Sequence, residues 1–225
     1  MLALVGSGEY LPPIEPVDRF LLDQLSGTPR VVCLPTAAGT EGAERIQYWS
    51  DLGERYFQNL GVEVRSLPVI DQPSANDPDM AAIVQSANYI YLSGGHPTYL
   101  LNTIKNSLIW QMIQEVLAHG GLLAGCSAGA MIMGERIPGF PRFQQAFNLV
   151  PGTIVPHFDE VPRNLVKIIK LIVGKRSPLI GIEGSTALFV KDGIYRVIGA
   201  GRVTIWNNKG EIRYSDGQIL SDLTH

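Results

Sequence analysis

The chain has 225 residues, 45% apolar and 17% charged, enough to bury one sizeable core at the upper end of single-domain size. A formal charge of -3 and an isoelectric point near 5.8 exclude the basic stripe that phosphate backbones demand, so nucleic acid is not an expected partner. Met1 opens into the apolar run "LALVG" without a basic leader, and no apolar run is long enough to cross a bilayer, so a cytoplasmic protein with no membrane partner is expected. Cys33 and Cys126 form no CxxC pattern, and nothing calls for a disulfide, a metal or another cofactor.

Taken in chain order, "LALVG" predicts a first strand, and the Pro-rich "YLPPIEP" predicts a loop after it. "RVVCLP" predicts a second strand, followed by a helix within Glu41 to Leu60 that Gly61 closes with a left-handed exit. After the strand "VEVRSLP", Asn76 and Asp77 precede Pro78, an N-cap followed by a first-turn proline that opens a short helix to Ser86. "NYIYLSGG" predicts the next strand. From Thr98 to His119, apolar residues recur at helical spacing through Leu101, Ile104, Leu108, Met112 and Val116, with a break near Asn106 and a stop at Gly120 and Gly121. "LLAG" predicts a further strand. This alternation predicts an α/β fold with a mostly parallel central sheet and helices on both faces. The last forty residues change character: "ALFVKDG", "IYRVIGAG", "VTIWNNKG" and "EIRYS" predict antiparallel strands with Asp-Gly and Lys-Gly turns, without a linker, so residues 1–225 are expected to form one domain.

The stretch "GLLAGCSAGAMIMG" places Ser127 at the centre of a G-x-S-x-G pentad between a buried strand and a helix, the pattern of a nucleophile elbow. The turn is too sharp for bulky neighbours, and the next N–H, that of Ala128, points toward a developing oxyanion. Gly94 and Gly95 end the neighbouring strand, where Gly95 offers a second oxyanion donor. His157 in "IVPHFDE" follows an extended run and is the candidate base. Glu183 in "LIGIEGSTALFV" interrupts a run that otherwise predicts buried strand; a carboxylate there costs several kcal/mol unless paired, so burial beside an imidazole would explain it. A strand end meeting water is the alternative. Together these residues supply a nucleophile, two oxyanion donors, a base and an orienting acid.

"GCSAGA", "SGGHPTYL", "PHFDE" and "GIEGSTAL", with "LVGSGE" and "VVCLPTAA" near the start, resemble in the same order the serine peptidases that include aspartyl dipeptidase (dipeptidase E) and cyanophycinase. The resemblance implies a flavodoxin-like fold akin to class I glutamine amidotransferases, a Ser-His-Glu arrangement of Ser127, His157 and Glu183, and hydrolysis of peptide or isopeptide bonds involving aspartate. The region "ERIPGFPRF" lacks the aspartate that some aspartyl dipeptidases carry after the nucleophile. His96 and Pro97 follow the glycine pair where Asn, Asp or Gln is expected, a departure that bears on substrate preference and makes His96 a candidate substrate contact.

Elbow geometry exposes Ser127 and turns Cys126, the last strand residue, into packing. A cysteine-dependent amidase using Cys126, with His157 and Asp159, is the alternative, because amidotransferases of similar fold use an elbow cysteine. A non-catalytic scaffold binding a small ligand is a third reading, against which the joint presence of Ser127, His157 and a candidate acid argues. A short peptide is the expected partner, and a homodimer is left open. Arg163, opening the helical run "RNLVKIIKLIV", resembles by position the arginine that reads the aspartate side chain in aspartyl dipeptidases; Arg142 is the alternative.

Overall fold

A computed structural model describes residues 1–138, 143–173, 177–207, 210–220 and 223, without the side chains of 163 and 170–173. In the first part strands and helices alternate: β1 (Leu2–Val5), α1 (Glu15–Asp23), β2 (Arg30–Leu34), α2 (Ala43–Asn59), β3 (Glu63–Ser66), α3 (Gln72–Ala75), α4 (Pro78–Ser86), β4 (Tyr89–Leu92), α5 (Pro97–Ile104), α6 (Leu108–Ala118), β5 (Leu122–Cys126) and α7 (Ala128–Met131). Strands dominate the rest: β6 (Arg136–Ile137), β7 (Gln144–Gln145), β8 (Thr153–Val155), α8 (Arg163–Val173), β9 (Leu179–Ile182), β10 (Thr186–Lys191), β11 (Ile194–Gly199), β12 (Val203–Asn207), β13 (Gly210–Tyr214) and β14 (Ile219–Leu220).

Eight strands form the main sheet in the order β14-β11-β10-β1-β5-β4-β2-β3. The five from β1 to β3 run parallel, and β10, β11 and β14 extend the β1 edge antiparallel. Side chains of the parallel strands alternate between two cores, as a sheet covered on both faces requires. Val32, Leu34, Ile90, Leu92 and Leu123 pack against Leu101 of α5 and Ile109 and Ile113 of α6. Val31, Cys33, Tyr89, Tyr91, Ala124 and Cys126 pack against Val17 and Leu21 of α1 and Phe57 of α2. Each such aliphatic side chain stabilises the fold by about 1.5–3 kcal/mol. A second sheet of four strands, β13-β12-β9-β8, stands apart, with β8 and β9 parallel.

Local chemistry accounts for the helix ends. The Asp77 carboxylate accepts from the N–H groups of Asp79 and Met80 at 2.8 and 3.0 Å, capping α4. Asn106, at φ 62°, separates α5 from α6. Two expectations are corrected. "YLPPIEP" is not simply a loop: Pro12–Ile14 form a 3-10 turn leading into α1, and prolines occupy first-turn positions whose N–H groups have no intrahelical partner anyway. "LIGIEGSTALFV" is not one strand, since β9 ends at Ile182 in the small sheet and β10 starts at Thr186 in the large one. Glu183 therefore lies in the turn between sheets. A Cβ on Gly6 would collide with the Glu183 carbonyl oxygen, so the exit of β1 and this turn meet in close contact.

Candidate active site

Ser127 sits between β5 and α7 at φ 50° and ψ -106°, a region that costs about 1–3 kcal/mol for a non-glycine residue. Its neighbours hold it there. The Ser127 N–H donates to the Val5 carbonyl and the Ser127 carbonyl accepts from Met131 N–H, each at 3.0 Å. A Cβ on Gly125 would strike the Gly129 carbonyl group, and one on Gly129 would lie 2.6 Å from the Leu92 carbonyl oxygen. Both glycines of the pentad are thus required by backbone crossing backbone.

Cys126 points the other way. It is fully buried in the aromatic core beside Tyr91, and its Sγ–H donates to Glu9 Oε2 at 2.8 Å. Burial pushes its thiol well above the ordinary range, with the Glu9 carboxylate adding to the effect.

His157 follows β8 and itself takes φ 51°. Its N–H donates to the Gly6 carbonyl at 3.4 Å, and the next N–H, of Phe158, donates to the Ile182 carbonyl at 3.0 Å. The Phe158 ring occupies the space that a side chain on Gly181 would need and lies 4.9 Å from the Trp206 ring. The loop is thereby anchored to both sheets, and His157 Nε2 lies 3.1 Å from Ser127 Oγ. In the tautomer protonated on Nδ1, the serine hydroxyl donates to Nε2.

The carboxylate facing Nδ1 is that of Glu160, with Oε2 at 3.6 Å, outside hydrogen-bond range but within ion-pair range. Glu160 N–H donates to the His157 carbonyl at 2.9 Å, a tight turn that folds the glutamate back over the ring. The His157 and Glu160 side chains are 42% and 70% exposed, so water screens the pair. Neither acid weighed from the sequence reaches the ring. Glu183 Oε2 accepts from Arg202 N–H at 3.0 Å, and its position in an apolar run reflects a strand end. Asp159 Oδ1 accepts from Gly184 N–H at 2.9 Å, tying the histidine loop to the inter-sheet turn. Glu160 was legible only as the last letter of "PHFDE", because the positive φ of His157 that makes it a neighbour has no signature in a histidine.

The second backbone segment of the site leaves β4. His96 N–H donates to the Ala37 carbonyl at 2.9 Å, and Gly95 takes φ 138° with no room for a Cβ, which would sit 2.5 Å from that oxygen. A Cβ on Gly94 would lie 3.3 Å from Ser127 Cβ, so this segment abuts the elbow. Among the described residues, the N–H groups of Gly95 and Ala128 have no acceptor. His96 is exposed and caps α5, Nδ1 accepting from Tyr99 N–H at 3.1 Å. Arg163 is the first residue of α8, but its side chain lies outside the described residues, as does Arg142 entirely. Among the described residues there is no group of three or more His, Cys, Asp or Glu that could hold a metal ion, and no helix long and apolar enough to cross a membrane.

The chain as a whole is similar to known peptidases. The crystal structure of a peptidase from an acI-B1 actinobacterium matches with a TM-score of 0.88 and 35% identity, covering 98% of this chain and 96% of that one. A putative peptidase E protein from Listeria monocytogenes EGD-e shares the fold, with a TM-score of 0.66 at 22% identity over 89% and 98% of the two chains. Cyanophycinase of Synechococcus elongatus is 30% identical over 164 residues, 66% of this chain and 51% of that protein, so the match spans about half of that enzyme's length. An uncharacterized peptidase of Listeria monocytogenes is 25% identical over 174 residues, 72% of this chain and 82% of the relative. The sequence model of peptidase family S51 matches residues 2–198, nearly the whole mixed sheet and its helices, and the chain belongs to that family of hydrolases.

Proposed function

We propose that the chain is a serine peptidase cleaving short peptides or isopeptides that contain aspartate. The observation that carries this reading is the 3.1 Å contact between Ser127 Oγ and His157 Nε2 at a left-handed elbow. In the proposed reaction His157 takes the proton of Ser127 as Oγ attacks the scissile carbonyl, and the N–H groups of Gly95 and Ala128 hold the oxyanion. His157 then protonates the leaving amine, and an acyl-enzyme on Ser127 is hydrolysed by water that His157 activates. Glu160 takes the orienting place first assigned to Glu183, its 3.6 Å separation closing as the imidazolium forms and the substrate excludes water. The buried, carboxylate-bonded Cys126 supports serine over the cysteine-dependent alternative.

For the substrate, the reading draws on the resemblance to aspartyl dipeptidases and cyanophycinase. Arg163 is the proposed reader of an acidic group, since a guanidinium fork matches a carboxylate. His96, beside Gly95, is the second proposed contact. A fluorophosphonate probe should label Ser127, and a panel of aspartyl dipeptides, β-linked aspartyl peptides and cyanophycin-like polymer should contain a substrate. Arg163→Ala should raise KM for acidic substrates far more than for neutral ones. Turnover abolished by thiol alkylation, with Ser127 unlabelled, would move the chemistry to Cys126.

A further inference from the structure

Glu9, in the turn after β1, has no part in the reaction as described, yet its carboxylate reaches both halves of the oxyanion site. Oε1 accepts from Gly94 N–H at 2.9 Å, and Oε2 accepts from Cys126 Sγ–H at 2.8 Å. Gly94 immediately precedes Gly95. Cys126 immediately precedes Ser127, whose next N–H is that of Ala128. One side chain therefore ties the segment bearing one oxyanion donor to the strand bearing the nucleophile and the other donor.

Three further observations show that the contact is built into the site. A Cβ on Gly94 would lie 2.6 Å from Glu9 Oε1, so the carboxylate can reach the Gly94 N–H only because that residue is glycine. The next residue of the same turn, Tyr10, is buried at φ 61°, and its hydroxyl hydrogen-bonds to Ser93 Oγ at 2.9 Å. Adjacent residues 9 and 10 thus grip adjacent residues 94 and 93. Finally, residues 94 and 95 form a bend outside any helix or strand, and Gly94 N–H finds its acceptor across the molecule, on Glu9.

We propose that Glu9 is a positioning residue that fixes the Gly95 N–H relative to Ser127, so that the oxyanion site is assembled before substrate arrives. It acts through Gly94 and Cys126. The inference rests on Ser127 being the nucleophile. The cysteine beside the serine gains a role in it: a thiol at position 126 supplies the donor that orients the Glu9 carboxylate, without serving as a second nucleophile.

The test is the rate of Ser127 labelling by a fluorophosphonate, whose adduct places an oxygen where the oxyanion sits, read with kcat and KM on the best substrate of the panel. Glu9→Ala should slow labelling and lower kcat together, on the order of a hundredfold, with KM within about threefold of wild type. Glu9→Gln should recover most of the loss, because its amide oxygen still accepts from Gly94 and its NH2 can meet the Cys126 sulfur. If Glu9→Ala does not fold, Glu9→Asp, one methylene too short to span both partners, should slow labelling about tenfold or more at a near-normal melting temperature. Labelling at the wild-type rate in whichever of these variants folds would overturn the proposal. So would a loss confined to the number of labelled sites, with an unchanged rate per site, since that reports unfolding. Ser127→Ala in the same series separates the two readings: if it still turns over substrate, the serine assignment fails; if it is inert while Glu9→Ala labels normally, only the role of Glu9 fails.

Discussion

The elbow that carries Ser127 and the loop that carries His157 are held in place by different means. The elbow lies at the end of a parallel sheet buried on both faces, where backbone passes so close to backbone that Gly125 and Gly129 admit no side chain. The histidine loop leaves a short strand of the smaller sheet and is held by two backbone hydrogen bonds, one phenylalanine ring and the Asp159 carboxylate, with the imidazole and its glutamate partner open to water. In the proposed reaction the difference separates what must be fixed from what must adapt. A nucleophile and oxyanion donors act through geometry preset before substrate binds, whereas a base gains from closing on its partners as water leaves.

The sharpest break of this comparison is at the elbow itself. Ser127→Ala should reduce kcat by about 10^4-fold or more, because the proposed attacking oxygen is gone, while Cys126→Ala, which removes only one of the two contacts that hold Glu9, should cost no more than about tenfold. Steady-state kinetics on one good substrate decides it. Loss in the cysteine variant alone would reverse the assignment of the elbow.

The same contrast explains what could be read from the sequence. The parallel half was legible because both of its faces are buried, so its strands read as continuous apolar runs, and its helices carry local signals such as the Asp77 cap and the Asn106 break. The pentad was legible because its glycines answer a steric demand within the same few residues. The histidine side was only half legible. His157 stands out, but its carboxylate partner depends on a left-handed turn at the histidine itself, and the division of "LIGIEGSTALFV" depends on which sheet each half joins. Glu9 carries no local signature, since its partners lie 85 and 117 positions away. The helix α1 was hidden by the prolines that start it.

The second expected effect lies on the core behind the elbow. Asp18 of α1 is fully buried, accepts from Tyr56 Oη at 2.8 Å and Tyr89 Oη at 3.4 Å, and burial pushes its carboxyl from the usual 3.8 up to about 7. The native state therefore holds a proton that the unfolded chain gives up near pH 4. Stability from this group is fully present below that pH and is lost as pH rises through about 7. The loss is on the order of 4 kcal/mol. Asp18→Asn should flatten this dependence and raise stability at pH 8, as urea unfolding at pH 5 and pH 8 would show. A parallel decline in both proteins would remove Asp18 as its source.

Glycine substitutions compare the two regions directly. A methyl at Gly125 meets backbone that cannot move without opening the elbow, and overpacking of this kind costs about 1–3 kcal/mol, with activity falling as Ser127 shifts. A methyl at Gly184, in the turn beside the histidine loop, would have as its nearest neighbours the Ser7 hydroxyl at 3.0 Å and the Asp159 carboxylate at 3.5 Å, side-chain ends that can give way. Gly184→Ala should therefore cost under about 1 kcal/mol, within the range of ordinary surface changes. Thermal unfolding of the pair measures the difference. Equal costs would mean that the loop is as tightly determined as the elbow.

The smallest expected effect distinguishes the two glutamates. Glu160 faces His157 Nδ1 across 3.6 Å, partly in water, so in the proposed reaction it supplies orientation and a screened charge rather than a buried ion pair. Glu160→Gln should lower kcat about tenfold, because an amide can still accept from the imidazole N–H but leaves the imidazolium uncompensated. Glu183→Gln should stay within about twofold of wild type: the Arg202 N–H needs only an acceptor oxygen, which the amide provides at the same position. Steady-state kcat of the two variants on the same substrate separates the two carboxylates. If kcat falls in Glu183→Gln instead, the carboxylate that serves the base in solution arrives from the inter-sheet turn, and the histidine loop must rearrange when the site closes.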